Sequence, residues 1–79
     1  MAAISSKLAN AFRHNVRARM AGMELSQSDL ARKLKVKPSF VSQMLSGHRN
    51  PGLESLSKFS KALGVQPSEL LENNLAKPS

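Results

Sequence analysis

Ile4, Leu8, Phe12, Val16 and Met20 recur every four residues and draw one apolar stripe along a helix that begins near Ser6. That helix is expected to run to about Ala21, where Gly22 can end it. Ser26 then caps a second helix, with Asp29 three positions on completing a short capping box. Pro38 suits the first turn of a third helix, because its missing N–H would be unpaired there anyway, and Gly47 closes that helix. Leu53, Leu56, Phe59 and Leu63 form the core face of a fourth before Gly64, and Pro67 opens a fifth carrying Leu70, Leu71 and Leu75. The pattern predicts an all-α chain of five helices and no strands. One domain is expected over residues 1–75, with residues 76–79 as a disordered tail.

The stretch from Leu25 to Gly47, LSQSDLARKLKVKPSFVSQMLSG, decides the functional reading. Leu30, Ala31, Leu34, Val36, Val41 and Met44 fall where two steeply crossing helices need inward side chains, with alanine where a larger residue would hold them apart. Lys37, Ser39, Ser42, Gln43 and Ser46 between them are polar and face out. A helix held in this way is one that can be presented to the major groove of DNA.

Composition narrows the class. A chain of 79 residues allows one small domain that buries about 60% of its unfolded surface, which leaves little room for an enclosed catalytic pocket. Twelve Lys and Arg against five Asp and Glu give a net charge of +7, which favours an anionic partner. The excess is uneven: residues 1–37 hold eight bases and two acids, a net +6, and residues 38–79 hold four bases and three acids, a net +1. No apolar run approaches the length of a membrane span, and MAAISSKLAN lacks the apolar core of a secretory signal, so a cytoplasmic location is expected. Without cysteine there is neither a disulfide framework nor a thiolate metal site.

Catalysis has little to stand on. His14 and His48 have no carboxylate or cysteine at ligand spacing, and the serines lack a nucleophile elbow. Ser39, Ser42, Ser46, Ser55 and Ser57 are better read as caps, exposed helix positions or phosphate donors. Neither a metal, a cofactor nor a small-molecule ligand is expected.

Residues Gln27 to Gly47 closely resemble the helix-turn-helix of the Cro and phage-repressor (XRE-type) family, and the resemblance covers most of the chain. RHNVRARMAGMELSQ is similar to that family's first helix and the start of its second. HRNPGLESLSKFSKALGVQPSELL is similar to its fourth and fifth, down to the ALGV turn and the final leucine pair. The resemblance implies a five-helix bundle of the lambda-repressor-like DNA-binding type. One position departs: Lys35 stands in the turn where the family usually has glycine, and a left-handed lysine costs roughly 1 kcal/mol.

Site residues follow from both readings. Gln27, at the amino end of the second helix, can offer its side chain and the free N–H groups of that turn to a phosphate, the role its counterpart has in the family. The resemblance implies a second phosphate clamp at Ser46, His48, Arg49 and Asn50. Base reading is expected from Lys37, Ser39, Phe40, Ser42 and Gln43, with Ser39 at a base-reading position of the family and Gln43 able to pair bidentately with adenine. Lys37 could reach a guanine edge or a phosphate. Pro38 replaces a residue that reads bases in some relatives. Phe40 has two open placements: beside the groove, touching a thymine methyl, or folded back as core or partner surface. Leu70, Leu71 and Leu75 are candidates for a homodimer contact, with coverage of helices one and four as the alternative. The expected function is sequence-specific regulation of transcription, repression by resemblance, on a pseudo-palindromic site in double-stranded DNA. An antitoxin that neutralises a protein toxin and regulates its own operon is the alternative, and the DNA-binding part of a longer repressor is a third.

Overall fold

The structure is a computed structural model and describes residues 5–72, so Ile4, Leu75 and the tail at 76–79 lie outside the described residues. Ser5 opens the first helix, its Oγ accepting from the Leu8 N–H at 3.3 Å. Five helices follow in order, α1 Ser6–Met23, α2 Gln27–Leu34, α3 Pro38–Ser46, α4 Leu53–Leu63 and α5 Pro67–Leu71, with no strand among the described residues. The all-α reading holds.

The first helix runs past its expected stop. Gly22 lies inside α1, and the left-handed residue that ends it is Glu24 at φ 56°. The reason is Leu25. Its N–H reaches back to Met20 O at 2.9 Å while Glu24 N–H reaches Ala21 O at 3.2 Å, and this closure lays the Leu25 side chain against the core. Burial of the leucine, rather than the freedom of the glycine, sets the end. Lys35 and Val36 close α2 in the same way, through Arg32 O and Ala31 O, and Gly64 and Val65 close α4 through Lys61 O and Ser60 O.

Three connections thus share one grammar: a left-handed residue, an apolar residue turned inward, then an N-cap. Leu25, Val36 and Val65 each precede a cap and stand five positions before Leu30, Val41 and Leu70, which are fully buried. That is the spacing of a hydrophobic staple, which fixes the angle at which each new helix leaves the turn. Ser26 and Asp29 complete their reciprocal cap, each backbone N–H meeting the other's side-chain oxygen at 3.0 Å.

The core joins Phe12, Val16 and Met20 of α1 to Leu30 and Ala31, Val41, Met44 and Leu45, Leu56, Phe59 and Leu63, and Leu70. Phe12 and Phe59 meet edge to face with centroids 5.2 Å apart. Two expected core positions face out. Leu8 is partly exposed near the start of α1, and Leu53, the first residue of α4, is 66% exposed because the core is engaged one turn later, from Leu56. Leu70 moves the other way. Expected at a dimer contact, it is wholly buried within the chain, because Asn15 of α1 donates from Nδ2 to both Leu70 O and Glu72 O at 2.8 Å and draws α5 onto α1. Leu71 is half-buried beside it.

Candidate nucleic-acid interface

Ala31, almost without exposed surface, and Val41 mark where α2 and α3 meet, the most extensively packed helix pair of the molecule. Lys35 takes φ 61° in the turn between them, the left-handed conformation expected there. With Val41, Met44 and Leu45 held inward, the opposite face of α3 presents Ser39, Ser42, Gln43 and Ser46, preceded by exposed Lys37 and Pro38. No residue of α3 carries a formal charge, so its exposed face offers hydrogen-bonding groups alone. Gln27 is exposed at the start of α2.

Phe40 is half-buried. Its ring lies 6.5 Å from that of Phe59 on one side, and the Arg49 guanidinium carbon stands 5.2 Å from its centroid. The ring thus packs between Phe59 and Arg49 while part of its surface stays exposed.

The segment after α3 folds back onto its last turn. Arg49 N–H donates to Gln43 O at 3.2 Å, and Ser46 Oγ lies 3.3 Å from the same oxygen and 2.8 Å from His48 Nδ1. Ser46 has one proton to give, so donation to Gln43 O requires His48 to carry its proton on Nδ1. Arg49 also reaches Gln43 Oε1, from Nε at 3.4 Å and from a terminal nitrogen at 3.3 Å. The expected reader and the expected clamp are therefore joined in one network. Gly47 makes the reversal at φ 94°, where a Cβ would find ordinary space but a strained backbone.

Two residues that the sequence marks only as charges hold this end of the site. Arg13 Nε donates to Met44 O at 2.9 Å, its two terminal nitrogens go to Asn10 Oδ1 and Asn50 Oδ1 at 3.0 and 3.1 Å, and Arg17 donates to Leu45 O at 2.6 Å. These carbonyls end α3 and have no partner within the helix, so cations from α1 satisfy both their lone pairs and the negative end of the helix dipole. The four-residue spacing of Arg13 and Arg17, which stacks them on one helix face, was the available signal. Asn50, expected at a phosphate, is exposed and has its side-chain oxygen engaged by Arg13. Arg19 pairs with Glu69 at 3.0 Å and Arg32 with Asp29 at 3.4 Å. Half of the eight bases in residues 1–37 are thus tied into the fold, leaving Lys7, Lys33, Lys35 and Lys37 exposed.

Asp29 is the titratable group moved most clearly. The Ser26 backbone N–H, then the Ser26 hydroxyl, hold its carboxyl below the usual carboxylate range, with Arg32 adding to the effect. Among the described residues no group of His, Cys, Asp or Glu could hold a metal ion, and no helix is long and apolar enough to cross a membrane. A hollow of about 300 Å³ between α2 and α4 is lined by Lys33, Leu34, Lys58, Lys61 and Ala62, which include no nucleophile paired with a base.

The comparisons with known proteins point one way. The helix-turn-helix family profile matches residues 16–70. The control protein C.BamHI of Bacillus amyloliquefaciens is 39% identical over 54 residues, 68% of this chain and 67% of that protein. An uncharacterized helix-turn-helix transcriptional regulator of Archaeoglobus fulgidus is 58% identical over 38 residues, 48% of this chain but 17% of that longer protein. Among solved structures, the restriction-modification controller protein C.AhdI of Aeromonas hydrophila superposes with a TM-score of 0.71 at 31% identity, covering 78% of this chain and 94% of that one.

Proposed function

The chain belongs to the helix-turn-helix family of DNA-binding transcriptional regulators, and from that premise we propose that it is a sequence-specific regulator of the controller type that seats α3 in the major groove. It is not an enzyme. The observation that carries the proposal is the exposed face of α3, uncharged and rich in hydrogen-bonding groups, held at its carboxyl end by Arg13 and Arg17 and at its amino end by the left-handed Lys35 turn. Lys37, Ser39, Ser42 and Gln43 read base edges. Gln27 at the start of α2 and Ser46, His48, Arg49 and Asn50 after α3 meet the flanking phosphates.

The protein acts as a homodimer on a pseudo-palindromic operator. One uncharged helix reads too few base pairs to be selective, and half-sites lie roughly 34 Å apart along the duplex. Among the described residues of the expected helix-five contact, Leu71 keeps part of its surface exposed. Repression follows from occupancy of an operator that overlaps a promoter. The controller names of two relatives favour this small regulator over the antitoxin reading.

Random-site selection with the purified protein, followed by fluorescence anisotropy over a salt series, tests the proposal. Binding should weaken steeply with salt, by roughly 0.9 in the log–log slope for each phosphate contact, and the selected site should carry twofold symmetry. A flat salt dependence, or a selected site that lacks symmetry and holds one copy of the protein, would overturn it.

A further inference from the structure

Gln43 projects from the exposed face of α3 with the oxygen of its amide already engaged. Arg49 Nε and a terminal guanidinium nitrogen lie 3.4 and 3.3 Å from Oε1, both edges of one fork meeting the same oxygen. Chemistry alone sets the sense of the amide here, because a guanidinium has only donors and would repel the NH2 end. The guanidinium is itself held. It lies over the Phe40 ring at 5.2 Å, Phe40 rests against Phe59, and the Arg49 backbone N–H is bound to Gln43 O at 3.2 Å. What Gln43 offers without competition is Nε2–H2, two donors, while its oxygen is shared with a cation.

We propose that Arg49 is a specificity-determining positioning residue that holds Oε1 of Gln43 and leaves its NH2 to meet the base, so that α3 prefers guanine over adenine at one base pair of each half-site. Guanine presents two acceptors, N7 and O6, to the major groove, whereas adenine places the N6 amino donor beside N7. A glutamine free of such a partner would use oxygen and nitrogen together and pair with adenine. With Oε1 held by the guanidinium, the adenine amino group would have to compete with a cation for that oxygen or meet Nε2–H2, donor against donor. The inference rests on the reading of α3 as the recognition helix, and it gives Arg49 a part in specificity beyond contact with a phosphate.

Site selection and competition anisotropy with the wild type, Gln43→Ala, Arg49→Ala and Arg49→Lys test this, with circular dichroism confirming that each variant is folded. The wild type should prefer guanine over adenine by roughly tenfold at a single position of each half-site. Gln43→Ala should flatten that position. Arg49→Ala should shift it toward adenine by a similar factor, and Arg49→Lys, which keeps the charge but loses the fork, should also shift it. Adenine at the Gln43-dependent position in the wild type, or an Arg49→Ala variant that weakens all sequences equally and leaves that preference intact, overturns the proposal while the recognition helix stands. A Gln43→Ala variant that alters no position overturns the recognition reading through Gln43 as well, and the two failures are told apart by which variant shows them.

Discussion

Arg13 and Arg17 separate two uses of positive charge that a net count merges. Their guanidinium groups satisfy the last carbonyls of α3, at Met44 and Leu45, whereas Lys7 and Lys33 are exposed. Arg13→Ala and Arg17→Ala should each lower the unfolding free energy by about 1 kcal/mol, the net value of a partly exposed charged hydrogen bond. Lys7→Ala and Lys33→Ala should stay within about 0.5 kcal/mol. Urea denaturation of the four variants checks this, since all remove one charge and only two remove a cap. Asp29 supplies a pH test. Its carboxyl is depressed by the Ser26 N–H and hydroxyl, so its contribution to stability is present above the ordinary carboxylate value and lost as pH falls through its lowered folded value. Melting curves of the wild type and Asp29→Asn should therefore differ most near neutral pH and converge in strong acid; a gap of constant size would show that the charge of Asp29 has no part in the cap.

The connections between elements repeat one device on different residues. Glu24, Lys35 and Gly64 all take left-handed backbone, yet glycine alone does so without strain. Lys35→Gly and Glu24→Gly should each raise stability by up to about 1 kcal/mol, and Gly64→Ala should lower it by about as much. Thermal or urea unfolding decides, and a loss at Lys35→Gly would mean that the aliphatic stem of the lysine contributes more than the turn strain removes. The sequence locates two of these turns well. It misplaces the first because Gly22 is the stronger local signal, while the actual stop depends on where Leu25 finds the core, a contact that local propensity does not contain.

At the scale of the whole molecule, α5 distinguishes packing from association. Leu70 is buried against the bundle and Leu71 stands half-exposed beside it. Leu70→Ala should destabilise the protein by about 2–5 kcal/mol at any concentration, as for other large-to-small core changes. Leu71→Lys should leave the fold intact and weaken the joint binding of two copies to one operator. Sedimentation on operator DNA, with denaturant unfolding of the same variants, reads both outcomes. If Leu71→Lys leaves two-copy occupancy unchanged, the dimer contact lies elsewhere on the surface.

The sequence by itself determined the five helices, the turn at Lys35, the outward face of α3 and the basic excess of residues 1–37, because each follows from periodicity, a cap or a count along the chain. Only the tertiary structure decided that Arg13, Arg17 and Asn15 hold helix-end carbonyls, that Phe40 packs against Arg49, that Leu70 is core, and that Arg49 reaches the side-chain oxygen of Gln43. Arg13 meets Met44 across 31 residues and Asn15 meets Leu70 across 55. Periodicity says which way a side chain faces from its own helix. Which orphan carbonyl, ring or amide stands in front of it depends on how the helices pack, and that arrangement has no local signature in the order of residues.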